Sequence, residues 1–132
     1  DALAELFQQL DDLIKAEDSD AAIQVCDQIL AAAPGDSDAL HAKLVSLIDL
    51  GKMEDALQVF ESAPNLAQIC SFERAYCLYS LSREAEALRL LMPSSGAAPS
   101  DARSMQLAAQ ILYRQGEYSK AADYFQRSEA SG

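Results

Sequence analysis

The sequence predicts an all-α fold, a right-handed α-solenoid of about four helix-turn-helix repeats. Three observations lead there. A small residue followed four positions later by a larger apolar one recurs as Ala22…Cys26, Ala56…Phe60, Ala87…Leu91 and Ala121…Phe125. Successive copies stand 34, 31 and 34 residues apart. Half of the chain is apolar, enough for one core shared by stacked units that could not each bury a face alone.

Each unit reads as two helices. The first helix is expected over 2–16, with Leu3, Leu6, Leu10, Leu13 and Ile14 on one face. The second starts from a cap at Asp18 or Ser19 and runs to 33, where Pro34-Gly35 stops it. The third covers 38–50, capped by Asp36 or Ser37 and closed by Gly51, because glycine adopts positive φ without a steric cost. The fourth covers 53–62 and ends before Pro64; the fifth covers 71–81; the sixth covers 84–92 and is cut short by Pro93. Residues 93–100, with two prolines, a glycine and three serines, form the one substantial loop. The seventh helix runs from a cap at Ser100 or Asp101 to 114, and the eighth from Gly116 to 127. In the eighth, Tyr118 and Phe125 are expected to bury one face, with Ala121 small enough to let the neighbouring helix approach.

Eight helices in repeats over 3–36, 37–67, 68–100 and 101–132 of a single domain follow from this reading. The period, the alanine–phenylalanine core and Pro34 near the end of the first unit resemble the tetratricopeptide repeat. The tryptophan and glycine of that repeat's first helix are missing here.

Composition narrows the function. No apolar run reaches the roughly 18 residues that a membrane helix needs, and no basic stretch followed by an apolar one opens the chain as a secretory signal would. The chain begins at Asp1 without a methionine, and it is expected to be a piece of a longer protein whose capping helix lies outside it. The net charge is −11, and it is unevenly placed: residues 1–65 carry 14 acids and 3 bases, residues 66–132 carry 7 of each. Such a surface serves solubility, or it faces a basic partner segment. Either way the field repels phosphate, which argues against nucleic-acid binding by this stretch. Cys26, Cys70 and Cys77 are odd in number and form no metal-type pair, so they are expected to be reduced and to pack as small hydrophobes.

No catalytic set is visible. His41 is the only histidine, and nothing marks a cysteine or serine as its partner. Phosphate-loop, dinucleotide and zinc-protease motifs are missing. Asp18-Ser19-Asp20 and Asp36-Ser37-Asp38 lack the ligand ladder of a calcium loop and read as helix caps. No enzyme activity, metal or cofactor is expected.

Function should then lie in a concave groove lined by the first helix of each repeat. The register projects Phe7, Asp11 and Lys15 into it from the first helix, and Asp38, His41, Val45, Ile48 and Asp49 from the third. The fifth contributes Phe72, Tyr76 and Tyr79, and the seventh Arg103, Gln106, Gln110 and Tyr113. Phe72, Tyr76 and Tyr79 follow i, i+4, i+7 spacing and share a face opposite Ala75 and Leu78. Tyrosines suit an interface, where the ring is buried and the hydroxyl stays wet. A groove acidic at one end and aromatic at the other favours a peptide with apolar anchors and some lysine or arginine. The lysine–asparagine clamp with which some repeats of this type hold a terminal carboxylate is absent: Phe7, Asp11, His41 and Val45 occupy its positions.

Three strings carry a closer resemblance: residues 38–45 (DALHAKLV), 51–57 (GKMEDAL) and 71–79 (SFERAYCLY), with Leu112-Tyr113-Arg114 further on. They look like the amino-terminal repeats of the seventy-two-kilodalton subunit family of the signal recognition particle. The resemblance implies a cytosolic protein that pairs with the sixty-eight-kilodalton subunit, whose carboxy-terminal segment docks on these repeats. It implies membership of a ribonucleoprotein that delivers ribosome–nascent-chain complexes to the endoplasmic reticulum, with RNA contacted by a basic region not present here. The expectation is a groove that binds that segment, with Phe72, Tyr76, Tyr79 and Tyr113 as anchors and Asp11, Asp38 and Asp49 facing its cations. The alternatives are a generic adaptor for another client peptide, and a scaffold that forms a homodimer through its uncapped last repeat.

Overall fold

In the computed structural model, which describes residues 1–131 and side chains through Ala130, every regular element of the described residues is a helix. The helices group into two compact units, the first Asp1–Ile69 and the second beginning at Cys70. The first unit holds α1 (Ala2–Lys15), α2 (Ser19–Ala32), α3 (Ser37–Asp49), α4 (Met53–Ser62) and α5 (Pro64–Ile69). The second holds α6 (Ser71–Ser80), α7 (Glu84–Leu91), α8 (Ala102–Arg114) and α9 (Tyr118–Ser131). Within each unit every helix packs on the next in sequence, and α6 also meets α8.

Local chemistry sets the starts and stops. Asp1, Asp18, Asp36 and Asp101 each accept a hydrogen bond from the amide three residues on, at 2.9, 3.2, 2.9 and 3.0 Å. Each satisfies a helix-start donor that would otherwise lack a partner. The four hairpin turns share one geometry. After α3, Gly51 (φ +77°) donates to the Ile48 carbonyl at 2.9 Å, and Lys52 donates to Leu47 at 2.8 Å. The same pair of bonds closes α1 at Glu17 and Asp18, α6 at Ser82 and Arg83, and α8 at Gly116 and Glu117. This is the Schellman motif, with a left-handed residue just beyond the helix end. Two of those left-handed residues are not glycine: Glu17 at φ +58° and Ser82 at φ +65°. The spacing of the four positions repeats the 34, 31 and 34 residues of the alanines.

Those alanines are packed inside: Ala22, Ala56, Ala87 and Ala121 are at most 1% exposed. In the first unit, Leu10, Val25, Cys26, Ile29 and Ala39 form a core against which Leu3, Leu6, Phe7 and Leu13 pack. In the second, Ala75, Cys77, Leu78, Ala108 and Ile111 are buried.

Three sequence expectations need correction. The described residues form nine helices, not eight, because Pro64 starts α5 as well as ending α4. At the first helical position proline's fixed φ fits and its missing N–H costs nothing. Ala67 donates to the Ala63 carbonyl at 3.1 Å and Leu66 is buried, which anchors the short helix. In α9 the buried stripe is Ala121, Tyr124 and Ser128, at i, i+3, i+7; Tyr124 is 3% exposed, Phe125 is half-buried and Tyr118 is 62% exposed. Ile14, in the last turn of α1, is 49% exposed and does not join the leucines of that helix in the core.

Candidate partner-binding surfaces

In the first unit, α1, the start of α2 and α3 enclose an open groove of about 1090 Å³. It brings together Phe7 and Asp11 from α1 with Asp38, His41, Val45 and Asp49 from α3. Ile48 and Lys15, also projected there, do not line it. The groove gains residues that the register did not single out: Ile14, and Glu17, Asp18 and Asp20 around the α1–α2 turn. The Asp18-Ser19-Asp20 signal is that of a helix cap, which does not reveal which way the turn faces. Carboxylates line the groove on both sides, and no lysine or arginine does. Exposed Val45 and Ile14 stand among them as apolar contacts. A site of this make-up attracts an ammonium or guanidinium and gives its aliphatic stem a surface to cover. A smaller cavity of about 470 Å³ lies between α2, α3 and α4, where Lys43 pairs with Asp27 at 2.7 Å.

The second unit presents a different surface on α6 and α8. Phe72 and Tyr76 stack with ring centroids 6.5 Å apart, and Tyr76 is 39% exposed. Tyr79, one turn on, is half-buried. From α8, the Arg103 guanidinium lies 4.2 Å from the Phe72 ring centroid and 3.7 Å from the Glu73 carboxylate. Arg114 repeats the arrangement, 5.7 Å from the Tyr79 ring and 3.0 Å from Glu84. The Tyr79 hydroxyl and then Glu84 favour its charged form. Gln106 is exposed and Gln110 half-buried. Tyr113 is 58% exposed and meets Tyr118 edge-to-face, centroids 5.0 Å apart.

All three cysteines are free and buried. Burial, then the Asp27 charge, pushes the Cys26 thiol up to about 11; burial, then Glu73, does the same for Cys77. Among the described residues no group of histidine, cysteine and carboxylate side chains could hold a metal ion, and no helix is long and apolar enough to cross a membrane.

The sequence model of the SRP TPR-like repeat family, a TPR-like repeat, matches residues 15–131. The chain belongs to this family. As an SRP TPR-like repeat it is a non-enzymatic helical repeat domain. It is 34% identical over 95% of its length to signal recognition particle subunit SRP72 of Dictyostelium discoideum. Against the same subunit of Schistosoma mansoni the identity is 34% over 92% of the chain, and against that of Homo sapiens 33% over 74%. This SRP TPR-like repeat spans less than a fifth of the length of those relatives, 18%, 17% and 14% respectively.

Proposed function

We propose that this SRP TPR-like repeat is a protein-binding part of a signal recognition particle subunit, and that it holds a carboxy-terminal segment of the sixty-eight-kilodalton subunit. On this reading it acts in the cytoplasm, within a particle that targets secretory and membrane proteins to the endoplasmic reticulum. RNA is then contacted by other parts of the subunit.

The observation that carries the reading is the first unit's groove. Asp11, Asp38 and Asp49 surround Phe7 and Val45 in a space open to solvent, the make-up that a basic segment with apolar side chains would fill. The aromatic stripe of the second unit adds anchors, with Phe72, Tyr76 and Tyr79 on one side of α6. Co-purification of the chain with fragments of the sixty-eight-kilodalton subunit tests this. Retention of a carboxy-terminal fragment, weakened by Asp11→Lys with Asp38→Lys, is expected. Failure of every fragment to bind the folded chain would refute the reading.

A further inference from the structure

The α6–α8 surface has a chemistry opposite to that of the acidic groove. Arg103 and Arg114 each combine three features: a ring beneath the guanidinium, a carboxylate at its edge, and a side chain more than half exposed, at 65% and 55%. The ring and the carboxylate fix the guanidinium, so little rotamer freedom remains to be lost when a ligand arrives. Neither carboxylate exhausts it. An arginine offers five N–H donors, and the 3.7 Å Arg103–Glu73 contact is longer than a hydrogen bond. The solvent-facing donors are therefore placed and under-used.

Their spacing is regular. Phe72 and Tyr79 are seven residues apart on α6, about 10 Å along the axis, and one arginine sits over each. Arg103, Gln110 and Arg114 follow i, i+7, i+11 on α8 and share a stripe. Exposed Tyr76 lies between the two rings in sequence and supplies apolar contact.

We infer that this surface docks an acidic protein segment, with one carboxylate bridged to Arg103, a second to Arg114, and an apolar side chain against Tyr76. The rings stand about 10 Å apart along α6 and the arginine backbones about 16 Å apart along α8; in an extended segment, at about 3.3 Å per residue, carboxylates four residues apart fall between those distances and lie on one face. The favoured ligand is a peptide and not RNA, because two separate arginines can meet two carboxylates but not the continuous charge of a phosphate backbone, which the net −11 repels along its whole length. The inference rests on the reading of the chain as a peptide-binding repeat. It adds that the second unit selects acidic side chains where the first selects basic ones.

The test is a fluorescence-polarisation titration of the full chain with labelled Gly/Ser peptides. Each carries a phenylalanine and two glutamates, spaced one, four or seven residues apart. The four-residue spacing should bind tightest, and Arg103→Gln with Arg114→Gln should weaken it about tenfold, the size of a lost charge-assisted contact. Gln9→Ala, on the exposed face of α1, should leave it unchanged. Equal binding to the double glutamine variant, with unchanged helicity by circular dichroism, would overturn the inference. So would tighter binding of an oligouridine probe than of any acidic peptide. A chain that binds the acidic probe through the arginines but no fragment of the sixty-eight-kilodalton subunit would sink the proposed partner and leave this surface standing. A chain that binds such a fragment and ignores the acidic probe would do the reverse.

Discussion

The Lys52 amide donates to the Leu47 carbonyl at 2.8 Å, closing the loop in which Gly51 turns left-handed. Glu17 and Ser82 occupy the equivalent position in two other turns and carry a Cβ through the same backbone region. That conformation costs a side-chain-bearing residue roughly 1–2 kcal/mol. Replacement by glycine removes the strain but adds freedom to the unfolded chain. Glu17→Gly and Ser82→Gly should each stabilise the chain by about 0.5–1 kcal/mol in urea titrations. Gly51→Ala should cost about 1 kcal/mol from backbone strain alone, since no atom lies within 4 Å of the added carbon.

The register of α9 can be tested by truncation. Tyr124 is buried and Phe125 only half so. Tyr124→Ala should cost about 3 kcal/mol or more, and Phe125→Ala about 1 kcal/mol. Tyr124→Phe should be nearly neutral, because the hydroxyl meets only the Met92 sulfur, a weak acceptor at 4.0 Å. Thermal melts of the three variants give the order directly.

Asp101 ties stability to acid. Burial would raise its carboxyl, but hydrogen bonds from the Ser104 amide and hydroxyl, with the Arg103 charge, outweigh that and hold it below the usual 3.8. The folded state therefore binds this proton less readily than the unfolded state. The contribution is complete above the unfolded value and disappears as pH falls through the folded one. Asp101→Ala should cost about 1 kcal/mol at neutral pH, and the gap from the parent chain should narrow as melts are taken at pH values falling below 3.8.

The thiols act at the other end of the scale. Unfolded cysteines release a proton near 9.0, whereas Cys26 and Cys77 hold theirs to about 11. Stability should fall as pH rises through that window, because the unfolded chain is the better acid there. At neutral pH an aromatic disulfide reagent should titrate these two thiols only as fast as the chain opens. Rapid reaction of both in the native protein would contradict their burial.

Tyr76→Ala with Tyr79→Ala probes the proposed function. A loss of about 2 kcal/mol or more in affinity for the bound fragment is expected if these rings are anchors. Tyr76 is exposed, so most of the folding cost should fall on Tyr79, which isothermal calorimetry paired with melting curves would separate.

Much of the fold could be read from short-range chemistry. The caps near 18, 36 and 101, Gly51, Gly116 and the four alanines are local signals; of the two residues offered for each cap, the aspartate is the one that accepts the amide. Glu17 and Ser82 escaped notice because their turns use the glycine geometry without the glycine. Pro64 carried two meanings, a stop and a start, and only the first was taken. Tyr124 and Phe125 are adjacent on α9, and a pattern spaced at four residues cannot choose between them and i+3. At the candidate sites, Asp11, Asp38, His41, Val45 and Asp49 line one groove, and Ile48, projected with them, does not. Register could not show that Arg103 and Arg114 lie over Phe72 and Tyr79, because such pairings depend on how two separate helices cross.

The division of charge between the units has a consequence for handling the protein. All of the −11 belongs to residues 1–65, within the first unit. At the isoelectric point of about 4.3 the molecule is therefore not uniformly neutral: an anionic body is joined to a cationic one. The first unit of one molecule then attracts the second unit of another, so precipitation on mild acidification should be relieved by added salt.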